Sequence, residues 1–341
     1  IPVRHRALRS AIQWSYDLLG ADEQRVFRHM GAFAGGWSVA AAQAVVGMEE
    51  NVLPLLESLR AASLLQCHAV AGETRFALLE TIREFAQEQL ARCDDARAAN
   101  CRHLAYYTDF AVDAEIELLR ADAPRWRARV AAEQDNLRAA FRWAIEHGEY
   151  TSALRLAAGV WRFHWMAGLL REGLDRLEIA LAHREHAPPE VQANAMRGAG
   201  SLAGGLSDFA RARRWLEGGV AIGRTLTDPR VLQGSLTGYG YTLYEQGDLA
   251  TALGPLEEGL ALARQIGDRR LMKFPVGILA GVHQRLGNLA IASDFAEECL
   301  QINREYNDPE GTANALRTLA TILYEQGLPA RAQQLCEEAL A

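Results

Sequence analysis

The chain has 341 residues, a formal net charge of −7, 49% hydrophobic residues and 23% charged residues. This balance is typical of globular proteins and excludes extensive disorder, and the length indicates two or three domains. The negative charge provides no general attraction to nucleic acid or anionic membranes, and no apolar run is long enough to span a bilayer.

Residues 1–92 are predicted to contain three or four helices followed by a β-hairpin. Apolar residues at helical spacing predict a first helix over 8–19. Three polar residues are each placed to cap a following helix: Asp22, Ser38 and Asn51. Two strands, at 63–70 and 74–80, flank a turn at Ala71-Gly72, and a further helix follows over 81–90. This order predicts a winged helix-turn-helix.

Residues 93–187 are predicted to be entirely helical. The expected helical stretches are 103–119, 130–147, 150–166 and 169–182. Gly168 and Gly173 lie thirty-nine residues before Ser207 and Ala212, which indicates a degenerate repeat. Four neighbouring side chains are expected to pack mainly in the core, with His164 able to face outward: Trp161, Phe163, His164 and Trp165.

Residues 188–341 repeat every forty residues. Two series of small residues show this period, with members forty residues apart: Ala212, Ala252, Ala292 and Ala332, and Ser207, Gly247, Gly287 and Gly327. A period of this size indicates helix-turn-helix units of the tetratricopeptide type, four in number. Small residues allow close helix contacts at Gly200, Gly240, Ala280 and Ala320. Pro255 and Pro275 are expected within helices, where each would cause a kink.

The predicted fold class is therefore mainly α, a winged helix-turn-helix followed by a tetratricopeptide-type α-solenoid. The predicted domains are a winged helix at 1–92, a helical linker with degenerate repeats at 93–187, and four repeats at 188–341. The chain opens without Met and stops within a helical pattern, so we expect it to be part of a larger protein whose array continues.

The concave face of the repeats is the predicted binding site, because solenoids usually bind through that face. The phase of the first helix in each unit assigns the following residues to this face: Asn194, Arg197, Ser201, Thr237, Tyr241, Tyr244, Glu245, Gln284, Arg285, Asn314, Arg317, Thr321, Tyr324 and Glu325. Aromatic rings mixed with amides and arginines suit a polar small molecule or a peptide. Gly277 and Gly281 either leave space for a ligand or serve helix packing.

Catalytic and metal-binding patterns are weak in this chain. No G-x-x-x-x-G-K-[ST] or G-x-S-x-G motif occurs, so we expect no ATP site and no catalysis here. His183 and His186 are too few for a zinc site, and Cys93, Cys101 and His103 lack a fourth ligand. We therefore expect no metal and no cofactor. Five cysteines without paired spacing, together with no export signal, predict a cytoplasmic protein without membrane contact.

Residues 7–90 resemble the winged-helix segment that follows the nucleotide-binding domain in bacterial STAND-type regulators, signal-transducing NTPases related to the NB-ARC and maltose-regulator groups. The matching stretches are Leu8-Arg-Ser-Ala-Ile-Gln-Trp-Ser-Tyr-Asp-Leu-Leu19, Glu23-Gln-Arg-Val-Phe27, Phe33-Ala-Gly-Gly36 and Leu78-Leu-Glu-Thr-Ile-Arg-Glu-Phe-Ala86. Residues 133–173 are also similar, through Glu133-Gln-Asp-Asn-Leu137 and Trp165-Met-Ala-Gly168. The resemblance implies an NTPase domain, binding ATP or ADP, N-terminal to this chain.

The resulting hypothesis is the sensor portion of a transcriptional regulator, which binds a protein or small-molecule effector and signals to the NTPase domain. One alternative is a constitutive tetratricopeptide scaffold for protein docking. A less favoured alternative is DNA binding by the winged helix, because residues 1–92 contain nine arginines against ten Asp and Glu. The helix in the recognition position offers only Arg60, offset by Glu57.

Overall fold

The computed structural model describes residues 3–49, 51–70, 72–120 and 122–340, with side chains from Leu8 onward. Helices dominate the described residues, so the mainly helical class predicted from the sequence is confirmed. The chain forms two compact units, Ile1–Ala114 with Pro124–Gly159 and Glu115–Ala123 with Val160–Ala341. Within the described ranges, no helix is both long and apolar enough to cross a membrane.

Helices come first in the first unit, and a hairpin and a further helix follow. The elements are α1 (Val3–Asp17), α2 (Ala21–Met30), β1 (Trp37–Ser38), α3 (Val39–Val46), α4 (Leu53–Ala61), β2 (Gln66–Val70), β3 (Glu73–Ala77) and α5 (Glu80–Ala91). The strands form an antiparallel sheet in the order β1-β3-β2, in which Trp37 and Cys67 both lie opposite Phe76. Strand β1, which directly follows Gly35-Gly36, was not predicted from the sequence.

Local hydrogen bonds determine where the helices of this unit begin. The Ser38 hydroxyl caps α3 by accepting a bond from the Ala41 amide at 3.1 Å. The Asn51 side-chain oxygen accepts one from the Leu53 amide at 3.0 Å, but Val52 occupies the capping position of α4, so the prediction that Asn51 caps this helix was wrong by one residue. The prediction that Asp22 caps α2 was wrong. Gly20 occupies the capping position and donates its amide to Glu23 at 2.8 Å, whereas Asp22 lies in the first turn, where its charge favours the positive end of the helix.

The hairpin strands are shorter than predicted. Ser63 has a left-handed φ of +59° and ends α4, so that pairing begins only at Gln66. Leu64 and Leu65 in between are buried. Gly72 supplies a φ of +78° at the turn, and Ala71 lies outside the described residues.

Three helices follow: α6 (Ala96–Glu117), α7 (Ala123–Ala132) and α8 (Gln134–Glu146). The prediction of one helical stretch over 130–147 was wrong, because Glu133 leaves helical geometry with φ −99° and ψ 4°. The Glu133 carboxylate is buried, forms an ion pair with Arg75 of β3 and accepts a bond from the Tyr107 hydroxyl at 2.8 Å. These distant partners favour the break between α7 and α8.

Asn136 joins this break to the loop before β1. Its amide nitrogen donates to the Gly36 carbonyl and to Glu133, both at 2.8 Å, and its oxygen accepts from the Ala34 amide at 2.9 Å. Two stretches that carry the family resemblance, 33–36 and 133–137, are therefore bonded to each other. The cavity beside Arg75 and Glu133 measures about 10 Å³, room for roughly one water, so this cluster serves packing.

Paired helices continue to the end of the described residues. They are α9 (Tyr150–Met166), α10 (Leu170–Leu181), α11 (Pro189–Gly205), α12 (Phe209–Gly223), α13 (Pro229–Gln246), α14 (Leu249–Ile266), α15 (Lys273–Arg285), α16 (Leu289–Glu305), α17 (Pro309–Glu325) and α18 (Pro329–Leu340). We call α11, α13, α15 and α17 the A helices, and their following partners the B helices. Each A helix packs on its own B helix and on the next A helix.

The turn between A and B helices uses the periodic small residue. Ser207, Gly247, Gly287 and Gly327 have φ values of 60°, 89°, 80° and 81°, a left-handed conformation that glycine adopts without strain. Gly168 has a φ of 72° between α9 and α10. The thirty-nine-residue step from Gly168 to Ser207 therefore connects equivalent turns.

Close helix contacts explain the small residues inside the A helices. A Cβ atom added to Gly200 would lie 2.4 Å from Cγ of Leu216, and one added to Gly240 would lie 2.5 Å from Cγ of Leu256. Ala280 and Ala320 occupy the same position in the later repeats and are buried. The spacing of A and B helices therefore depends on this position.

The two repeat prolines differ in their surroundings. Helix α14 runs from Leu249 to Ile266 with Pro255 inside it. The prediction that Pro275 lies in a helix interior was wrong. A 3-10 turn over Arg269–Met272, started by Asp268, delays α15 until Lys273. Pro275 thus lies in the first turn of α15, where a backbone N–H has no partner within the helix.

Arginine–glutamate pairs connect successive B helices at the same step. Arg224 binds Glu258 with N···O distances of 2.8 and 2.7 Å, and the equivalent pairs are Arg264–Glu298 and Arg304–Glu338. The arginine of each pair is exposed and its glutamate is at least partly exposed, so each pair contributes little stability. We call them the B-helix ladder.

Candidate ligand-binding face

Nearly all of the predicted site residues line one row of adjacent helices in the second unit. We call the exposed and partly exposed side chains of this row, on residues 160–166 of α9 and on the A helices, the A-face. Neighbouring A helices contact each other along it, so residues at the same repeat position lie side by side.

Tyr244 and Arg285 form the best-defined contact of the A-face. Arg285 donates to the Tyr244 carbonyl at 2.9 Å, and its guanidinium carbon lies 5.1 Å from the centre of the Tyr244 ring. The Tyr244 hydroxyl lies 2.8 Å from the position that a Cβ of Gly281 would occupy. Gly281 is therefore covered by Tyr244 and serves packing, as does Gly277 beside Cys299.

Tyr241 is a partly buried hydrogen-bond donor beside this contact. Its ring meets Trp165 edge to face, with 6.2 Å between centroids. Burial raises the pKa of Tyr241 to about 12, and the exposed Glu245 adds to the rise. The Tyr241 hydroxyl therefore stays protonated at neutral pH and can donate to a ligand.

The fourth A helix offers the most open side chains. Tyr324 is 68% exposed, and Gln284 of the preceding A helix donates to Glu325 at 2.9 Å. Arg317 donates to Asn314 at 3.4 Å, and the Thr321 hydroxyl donates to the Arg317 carbonyl at 2.9 Å. Asn314, Arg317, Thr321 and Glu325 are all exposed.

Thr237 is not part of the A-face and is corrected to a packing residue. It is 9% exposed. Its hydroxyl donates to the backbone carbonyl of Gln233 at 2.9 Å and accepts from the side-chain amide of Gln233 at 3.1 Å. Its hydroxyl faces Gly259 of the B helix. The transferred tetratricopeptide phase misplaces it because it lies on the side of α13 that packs on α14. Asn194 and Ser201 are partly exposed.

Arg197 crosses from the first A helix to the second. It forms an ion pair with Glu115, and its Nη1 lies 2.8 Å from where a Cβ of Gly234 would be. Its guanidinium carbon lies 5.8 Å from the centre of the Trp161 ring. Glycine at 234 thus leaves the space that this arginine occupies.

Sequence reasoning missed Arg162 and Trp165 as members of this face. Both are partly exposed on α9, and Trp165 packs on Gly205 of α11. The thirty-nine-residue step could have found them, because it aligns Arg162 with Ser201 and Trp165 with Gly204. The suggestion that His164 faces outward was wrong, since it is 1% exposed and packs against Gly173. Trp161 is buried as predicted.

Comparisons with known proteins agree with this architecture. Residues 276–341 match the family model of the tetratricopeptide repeat. Proteins of Mycobacterium tuberculosis and Mycobacterium bovis, provisionally named HTH-type transcriptional regulators, are 35% identical over 256 residues, 69% of this chain. The chain spans only 28% of the length of these relatives.

Two solved structures share the fold at low sequence identity. A signal transduction ATPase with numerous domains (STAND) and a tetratricopeptide repeat sensor, from Pyrococcus horikoshii, gives a TM-score of 0.57 at 15% identity, over 95% of this chain and 50% of that one. A Rap protein complexed with competence and sporulation factor gives 0.55 at 12% identity, over 76% and 70%. The tetratricopeptide-type fold predicted from the sequence is thereby confirmed.

Proposed function

We propose that this chain is the sensor and interaction portion of a STAND-type signal-transducing regulator of transcription. In this proposal residues 1–92 form a winged helix, 93–187 a helical linker and 188–341 the tetratricopeptide array. An effector or protein partner binds the A-face, and the winged helix transmits binding to the NTPase domain that the resemblance implies. The names of the mycobacterial relatives and the fold of the archaeal STAND protein support this assignment.

The observation that carries the proposal is the combination of aromatic and hydrogen-bonding groups on adjacent A helices. A ligand that contacts Tyr244 on α13 and Arg285 on α15 bridges two repeats. Such a ligand favours the arrangement of repeats in which both contacts form, and this differential binding is what a sensor requires.

A thermal-shift screen of the chain tests the proposal. The probes are phosphorylated sugars, nucleotides, amino acids, neutral oligosaccharides and a set of synthetic peptides. We expect one metabolite to raise the unfolding midpoint of the wild type and not of Tyr244→Ala. The control Arg304→Gln alters the exposed B-helix ladder and should respond like the wild type.

Other outcomes of this screen separate the alternatives. A peptide that binds while no metabolite does would favour the constitutive scaffold. A metabolite that stabilises wild type and Tyr244→Ala equally would contradict an effector site on the A-face.

We also propose that residues 1–92 contact protein and do not bind DNA directly. Arg75, the arginine of the hairpin strands, is 4% exposed and paired with Glu133, so it is not available for phosphate. Arg60 of α4 is exposed, but so is Glu57 one turn earlier. Duplex binding that weakens steeply with salt would overturn this proposal.

A further inference from the structure

Two arginines share one tryptophan ring at the α9 end of the A-face. The guanidinium carbon of Arg162, on α9, lies 4.5 Å from the centre of the Trp161 ring, and that of Arg197, on α11, lies 5.8 Å away. We call Arg162 and Arg197 the arginine pair. Both residues are partly exposed, although the Nε atom of Arg162 is buried.

The positive charges of the pair are only half balanced. Glu115 forms an ion pair with Arg197. Arg162 forms no ion pair or hydrogen bond with any residue that the structure describes, and its Nε atom is buried. Burial lowers the pKa of Arg162 to about 10; the positive charge of Arg197 adds to this, and Glu115 opposes it. One carboxylate thus faces two arginines.

Aromatic rings orient the guanidinium group of Arg162. Besides Trp161, the Phe274 ring lies 5.6 Å from the guanidinium carbon of Arg162. Aromatic stacking restrains the guanidinium plane and leaves its in-plane N–H groups for an acceptor. Trp161 is only 6% exposed, and its indole N–H finds no acceptor within the described part of the chain. Buried donors usually have a partner.

The nearby Lys273 does not carry an unbalanced positive charge. Its ammonium group lies 5.1 Å from the centre of the Phe274 ring but is already paired with Asp308 at 2.6 Å. The unbalanced charge therefore belongs to the arginine pair.

We propose that the arginine pair binds an oxyanion, the carboxylate or phosphate group of a small-molecule effector. The planar guanidinium of Arg162 offers two parallel N–H groups that fit two oxygens of such a group. This inference rests on the proposed function, because it specifies the chemistry of a ligand on the A-face.

Calorimetric titration of the chain with inorganic phosphate and, separately, with succinate tests the inference. Chloride keeps the ionic strength constant. We expect one of the two anions to bind, and Arg162→Gln to weaken binding on the order of 10- to 100-fold. Glu115→Gln should tighten binding, because it removes the opposing carboxylate. The matched control Arg264→Gln, in the exposed ladder, should bind like the wild type.

Each outcome has a defined meaning. Phosphate binding indicates a phosphorylated effector, and succinate binding a carboxylate. If neither anion binds, or if Arg162→Gln leaves binding unchanged, the inference is wrong. The proposed function would still stand if a neutral compound bound to the wild type and not to Tyr244→Ala, so the two failures can be distinguished.

Discussion

His103 is a titratable side chain enclosed in the first unit. It is 3% exposed, and its ring lies 5.2 Å from Phe33 and 4.7 Å from Tyr107, centre to centre. Burial lowers the pKa of His103 to about 4, against an ordinary value of 6.5, while a hydrogen bond with Asn136 opposes the change. The folded protein therefore holds this ring neutral well below the pH at which an exposed histidine gains its proton.

This shift predicts a pH dependence of stability. Between pH 6.5 and pH 4 the unfolded chain binds a proton that the folded chain excludes, so stability is present above this range and is lost as the pH falls through it. From pH 7 to pH 5, wild type should lose about 2 kcal/mol more unfolding free energy than His103→Gln. Urea denaturation at both pH values measures this difference, and equal losses would contradict the buried neutral histidine.

The spacing of paired helices depends on single glycines at their contacts. Gly240→Ala should cost about 1–3 kcal/mol, because its new methyl group would lie 2.5 Å from Cγ of Leu256. Gly254→Ala is the matched control on the adjoining helix α14, where an added Cβ meets nothing within 4 Å. This control should change stability little, because the helix propensity gained with alanine is opposed by Pro255, whose ring restricts a preceding residue that carries a Cβ.

Thermal unfolding of both glycine variants measures these effects. A clearly lower midpoint is expected for Gly240→Ala and little change for Gly254→Ala. A Gly240→Ala variant as stable as Gly254→Ala would mean that α13 and α14 do not approach as closely as the structure indicates.

Elements whose geometry is determined locally were predictable from the sequence. The turns at Gly247, Gly287 and Gly327 and the cap at Ser38 depend on neighbouring residues alone. The forty-residue period marks the three turns. The break at Glu133 was not predictable, because it depends on Arg75, which is 58 residues away in the chain. Strand β1 was missed for a similar reason, since its two residues pair with β3.

The candidate site was predictable only where the period held. The forty-residue step identified Tyr244 and Arg285, which contact each other. It failed for Thr237, whose burial depends on the packing of its own B helix, and for Arg162, which lies in a repeat shortened by one residue.

At the scale of the whole molecule, stability in a repeat array is a sum of contributions from neighbouring units. Helix α14 packs between α13 and α15. Its buried residues are Ala252, Leu256, Gly259, Leu260 and Ala263. In α18 Ala332 is the buried residue among those described. The protection of backbone amides should therefore differ strongly between these helices.

Hydrogen exchange followed by mass spectrometry measures this gradient. Amides of α13 and α14 should exchange much more slowly than those of α18, because opening α18 exposes far less apolar surface. Equal protection of α14 and α18 would indicate that the array opens as one cooperative block.

The B-helix ladder has a consequence for how such a protein changes length. Arg224, Arg264 and Arg304 are interchangeable donors, and Glu258, Glu298 and Glu338 are interchangeable acceptors, because both series advance by the same step. Excising forty residues from the middle of the series would leave Arg224 facing Glu298, with the same chemistry at the new junction. A whole forty-residue repeat can therefore be duplicated or lost while the arginine–glutamate pair between the newly adjacent B helices is retained.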